Sequence, residues 1–147
     1  MKYAKRTQVP VSKSRTEIEA IVLRYGADQF GSAFDQTGGR AMVQFRIASP
    51  QNRKQPWLVR FILPLPHQDP QDQRQRWRAL VLCIKAKLEA VESGIATIEE
   101  EFLAHIVVPG GGTFGEWAVP QVREMRETGK LPASIMGQLE DKSEGRK

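Results

Sequence analysis

DQRQRWRALVLCIKAKLEAVES, residues 72–93, decides how the rest of this chain must fold. Its large apolar residues Trp77, Leu80, Val81, Ile84, Leu88 and Val91 recur at steps of three and four. At about 100° per residue these positions form one helical stripe, which predicts a core helix. Ala79, Cys83, Ala86 and Ala90 fall on the opposite side, so the back of this helix is small and apolar and can admit a second body closely. Arg74, Arg78 and Lys85 follow one flank, Arg76 and Lys87 the other. A helix clamped between a sheet and a further element, with basic edges in water, fits this pattern.

Upstream, the period shortens to that of strands. Arg40–Ala48 alternates, with Ala41, Val43, Phe45 and Ile47 facing one way and Arg40, Met42, Gln44 and Arg46 the other. Trp57–Leu63 repeats this, setting Trp57, Val59, Phe61 and Leu63 against Leu58, Arg60 and Ile62, until Pro64 and Pro66 stop it. Between them, residues 49–56 (SPQNRKQP) read as a polar loop carrying Arg53 and Lys54. Residues 28–35 make a weaker strand, since Phe30 and Phe34 share a face but Gly31 lowers the propensity; Thr37-Gly38-Gly39 follows as a hairpin turn. Ahead of these, Ser14-Arg15-Thr16-Glu17 has the form of a capping box and opens a helix with the stripe Ile18, Ile21, Val22 and Tyr25, ended by Gly26.

Downstream, Gly94 closes the central helix and Thr97-Ile98-Glu99-Glu100 can cap a short one reaching Ala104. His105–Val108 reads as a short extended piece, and Pro109 with Gly110, Gly111 and Gly112 as a tight reversal. Thr113-Phe114-Gly115-Glu116 repeats the capping-box form before a last helix with Phe114, Trp117, Ala118, Val122 and Met125 on one side, which Pro120 is expected to kink or break.

Three strands need a cover on one face, and the Trp77–Val91 stripe supplies it. The expected fold is therefore one α+β domain over residues 12–132: an N-terminal helix, a three-stranded antiparallel sheet under the long central helix, and a helical C-terminal lobe. A basic arm, residues 1–11, precedes it, and a polar tail, residues 133–147, is expected to be disordered. The 147 residues suffice for one domain of ordinary size. With no apolar run behind Lys2, Lys5 and Arg6 and no stretch of eighteen apolar residues, a secretory signal, a membrane span and membrane partners are not expected; the expectation is the cytoplasm of a bacterial host.

The net charge of +5 hides an asymmetry: residues 1–88 hold 16 Lys and Arg against 6 Asp and Glu, residues 89–147 hold 6 against 11. Arg40, Arg46 and Arg60 on the outer side of the sheet, Arg53 and Lys54 in its loop, and Lys5 and Arg6 in the arm make up a candidate DNA- or RNA-binding surface. Attraction between the two ends of the chain, within one fold or a homo-oligomer, explains the same asymmetry. Bases also need stacking partners, and Phe45, Trp57 and Phe61 are expected inside, leaving only Tyr3. The small-residue face of Ala79, Cys83, Ala86 and Ala90 is the candidate protein-interaction surface, for a phage or host protein or a second copy, unless the last helix covers it.

Chemistry is less favoured. The single cysteine and the two distant histidines match no zinc spacing, so neither metal nor cofactor is expected. The glycines at 110–112 lack a following Lys-Ser or Lys-Thr and read as a turn rather than a phosphate loop. Glu99, Glu100, Glu101 and Glu116 have no completing histidine or aspartate, although Glu101 and His105 are spaced to pair along a helix. No catalytic residue is assigned.

Residues 74–117, RQRWRALVLCIKAKLEAVESGIATIEEEFLAHIVVPGGGTFGEW, with residues 7–28, TQVPVSKSRTEIEAIVLRYGAD, resemble a group of small uncharacterised proteins carried by bacteriophages, prophages and other bacterial mobile elements. The resemblance implies a phage-type origin and brings no activity to any residue. The order of three strands and a long helix is also similar to the core of phage single-strand annealing proteins. Together these readings give a non-enzymatic phage-type accessory protein that binds nucleic acid, with an adaptor or inhibitor of a host or phage protein in defence or replication, or a homo-oligomeric structural module, as alternatives.

Overall fold

The β-alternation and the 3.6-residue stripe meet in a two-layer α+β structure, a computed structural model that describes residues 4, 6–133 and 135. The elements run α1 (Val11–Arg24), β1 (Gln29–Asp35), β2 (Arg40–Ser49), β3 (Asn52–Pro64), α2 (Pro70–Glu92), α3 (Ile98–Phe102), a 3₁₀ turn at Leu103–His105, and α4 (Phe114–Thr128). The strands form one antiparallel sheet in the order β1-β2-β3. Ala41, Val43, Phe45 and Ile47 of β2 and Val59 and Phe61 of β3 are buried on one face. Against them lie Ile18, Ile21 and Val22 from α1 and Trp77, Leu80, Val81, Ile84 and Leu88 from α2. Trp77 keeps 4% of its surface and Ile84 none, so the central helix seals the sheet as its period requires. Phe102 from α3 completes the core with its ring edge-on to both Phe45 and Phe61.

α2 begins two residues early. Asp69 accepts a hydrogen bond from the Gln71 backbone amide, and Pro70, whose missing N–H is no loss at the first helical position, starts the helix. The box at Thr97 forms as expected, with Thr97 and Glu100 each capping the other's backbone amide.

The other two boxes do not form. α1 starts at Val11 behind Pro10, and Ser14 is a buried residue within the helix whose hydroxyl has no partner. Proline favours the helix start there over the serine signal. At α4, Thr113 occupies the cap position but its hydroxyl makes no capping bond; its backbone carbonyl accepts from the Glu116 amide instead. α4 runs unbroken through Pro120, which is exposed to solvent.

The loop expected over residues 49–56 is mostly strand. Ser49 pairs with Asn52, leaving a two-residue reversal at Pro50-Gln51, so Arg53 and Lys54 belong to β3. With β1 starting at Gln29 opposite Arg46, the β2–β3 hairpin extends past its neighbour as an arm. At the opposite end, Gly39 adopts φ +62° with the Leu65 carbonyl oxygen 3.1 Å from where a side chain would begin, so a larger residue there would be strained in its backbone and crowded.

Of the basic arm, Lys5 lies outside the described residues, together with Lys2 and Tyr3. Arg6 is exposed, Ala4 is buried, and the Thr7 carbonyl accepts from Gln71 at 3.0 Å, which ties this segment to the start of α2. The disorder expected over residues 133–147 falls almost wholly on residues outside those described. Among the described residues, no helix is long and apolar enough to cross a membrane.

Candidate nucleic-acid interface

The period-two pattern of β2 and β3 sends every second side chain to the open face of the sheet, and the register sets them in rows: Gln29–Arg46–Leu58, Gly31–Gln44–Arg60, Ala33–Met42–Ile62 and Asp35–Arg40–Pro64. Arg40, Arg46 and Arg60 do share this face, though not as free cations. Arg46 closes a bidentate pair on Asp28, with Nε 2.8 Å from Oδ1 and a second bond from Nη2 to Oδ2. That bond from Arg46 holds the Asp28 carboxyl below its usual range. Arg40 lies 3.8 Å from Asp35 in a looser, water-screened pair. Arg60 donates to Gln44 at 3.0 Å and to the Gly111 carbonyl at 2.5 Å, which fastens the glycine turn over β3. The centre of the face is apolar, formed by Ala33, Met42 and Ile62.

Exposed cations with no ion pair among the described residues are found beyond this face, and three of them belong to the predicted binding set. Arg53 and Lys54 are exposed on the hairpin arm, and Arg6 is exposed near the N-terminus. At the base of the arm stands Trp57, expected inside but 37% exposed. It keeps its place on the core side opposite Ile47, yet lies at the end of the cover, and its Nε1 donates to Glu99 at 2.9 Å. This bond keeps the Glu99 carboxyl below its ordinary range. An indole partly in water at the base of this arm was not legible in the alternation, which gives the side of a strand but not how far the covering helix reaches.

The glycine segment is a turn. The Gly111 amide bonds to the Val108 carbonyl, Val107 donates to Leu58 at 2.8 Å, and Phe114 donates to Ile106 at 2.8 Å. The Glu116 carboxylate stands 2.7 Å from where a Gly112 side chain would begin, a negative group where a phosphate would need to sit. The four carboxylates once grouped by sequence part company: Glu99 meets Trp57, Glu100 caps Thr97, Glu101 pairs with Lys87 at 3.5 Å, and Glu116 lies at the turn. Glu101 does not pair with His105, whose ring stacks on Phe61 at 4.0 Å between centroids. Among the described residues, no three of His, Cys, Asp and Glu gather where a metal ion could be held.

On the back of α2, Cys83 and Ala86 are exposed and Ala79 and Ala90 partly so. The cysteine is at the surface rather than packed. The last helix does not cover this face, because α4 docks on the 3₁₀ turn instead. Gly115 meets Ala104 so closely that an added Cβ would lie 2.7 Å from its carbonyl oxygen. Between the two elements opens an apolar groove lined by Leu103, Phe114, Ala118, Val119 and Val122, with Lys87 and Glu101 at its side. The stripe of α4 was visible in sequence; that it would face a short turn rather than a long helix was not.

No family model, no curated protein and no solved structure matches the chain.

Proposed function

We propose that this chain is a non-enzymatic, phage-type accessory protein that binds nucleic acid, with contact centred on the β2–β3 arm. The observation that carries this reading is the arm itself: Arg53 and Lys54 are exposed with no ion pair among the described residues, and a partly exposed Trp57 stands at the base of the same arm. Two cations neutralise phosphates and release counterions, while an indole face accepts a base of any sequence. Arg40, Arg46 and Arg60 then serve a supporting part, since Arg46 and Arg60 spend hydrogen bonds within the fold and Arg40 lies in a loose pair with Asp35. Lys5 and Arg6 add charge from the N-terminal segment.

Fluorescence anisotropy with single- and double-stranded oligonucleotides at two salt concentrations tests the reading. Binding at low salt that weakens steeply as salt rises is expected. Arg53→Ala with Lys54→Ala should reduce the salt slope by about two, near one per phosphate contact. Absence of binding at low salt removes the proposal.

A second reading, an adaptor or inhibitor acting on a host or phage protein, is favoured by the apolar groove between α4 and the 3₁₀ turn, where Val122 is 58% exposed. A pull-down from nuclease-treated lysate separates the two readings, because a protein partner survives that treatment and a nucleic-acid bridge does not.

A further inference from the structure

The sheet has two edges, and among the described residues only that of β3 is partly covered. Beyond β3, Ile106 pairs with Val59 and the Val107 amide bonds to Leu58. Beyond β1, no other element among the described residues bonds to the strand. Exposed edges are ordinarily protected by lysine, proline, a bulge or a covering loop. β1, QFGSAFD, has no lysine or proline, and it pairs with β2 residue for residue without a bulge.

From Phe30 to Phe34 the strand reads Phe-Gly-Ser-Ala-Phe, which is nearly the same in both directions about Ser32. We infer that this edge is the contact surface for a second copy of the chain, two β1 strands pairing antiparallel about Ser32 to join the sheets into one of six strands. In that register Phe30 stands opposite the partner copy's Phe34 on the helix side and Gly31 opposite its Ala33 on the open side. The aromatic pair forms twice, as two-fold symmetry requires. It also gives cover to Phe34, a core-side residue that is 57% exposed while Phe30 is packed.

Charge agrees. The only charged residue in β1, Asp35, falls opposite Gln29, so no like charges meet along the strand. Above it, α1 turns Glu17 toward Arg78 of α2. Arg15 and Glu19, both exposed, are therefore about 200° and 160° round the helix, on the flank facing away from α2. Two such flanks brought together antiparallel set the arginine of each against the glutamate of the other. The inference stands apart from nucleic-acid binding, although the pairing would place two basic arms at diagonal corners of one sheet.

Mass measurement of the full chain by light scattering after gel filtration, from micromolar to hundreds of micromolar, should give a dimer. Phe34→Lys, with unchanged circular dichroism, should give a monomer. Ser32→Cys in a Cys83→Ser background should cross-link to a covalent dimer on mild oxidation, because residues on the two-fold axis of an antiparallel pair lie within disulfide reach. A wild-type chain that stays monomeric overturns the inference. So does a dimer that survives Phe34→Lys and leaves Ser32→Cys uncross-linked, since its interface then lies elsewhere, as in the α4 groove.

Discussion

Ser14 illustrates a residue whose type promises one role and whose position imposes another. Buried in α1 without a partner for its hydroxyl, it bears the desolvation cost of an unpaired polar group. Ser14→Ala should raise stability by about 1 kcal/mol, aided by alanine's better helix propensity, and urea unfolding should show a higher midpoint at unchanged slope. His105 makes a prediction in pH. Its burial, and after that the Lys87 ammonium, hold the imidazole below its ordinary value of 6.5. The unfolded chain thus takes up a proton before the folded one does. Stability is fully present above 6.5 and is lost as pH falls from there toward the folded value. His105→Phe keeps a ring against Phe61 and should flatten this part of the profile, read as denaturant midpoints at about pH 7.5 and about pH 5.5.

At the scale of elements, α4 is held at one end. Gly115 seats it against the Ala104 carbonyl, while Val119 and Val122 farther along stay in water. Gly115→Ala should therefore cost about 1–3 kcal/mol in thermal or urea unfolding, the cost of overpacking a tight contact. Val122→Asp, on the exposed side, should stay within about 0.5 kcal/mol. The two together distinguish a helix fixed through its first turn from one packed along its length. The hairpin arm is the counterpart on the sheet: a strand pair longer than its cover, which leaves Trp57 half in water and Arg53 and Lys54 outside.

For the whole molecule, one continuous core joins α1, the sheet, α2 and α3, so unfolding should be a single cooperative transition. Ile84→Ala, at a fully buried position of the central helix, should lower stability by about 2–5 kcal/mol and shift signals from both helix and sheet in step. A transition that splits between probes would show that the helices and the sheet do not form one unit.

Periodicity alone was enough to place α2 over β2 and β3, since a stripe at three and four and an alternation at two can bury their apolar sides only against each other. It also named Arg40, Arg46 and Arg60 as outward-facing. What it left open was decided by distance across the fold. Asp28 meeting Arg46, Gly111 meeting Arg60 and Glu99 meeting Trp57 are 18, 51 and 42 residues apart, and no local pattern carries such meetings. An arginine's side of a strand follows from the sequence around it; whether its charge remains unspent depends on which carboxylate or carbonyl the tertiary structure brings within reach, because pairing is set by separation in space and not along the chain.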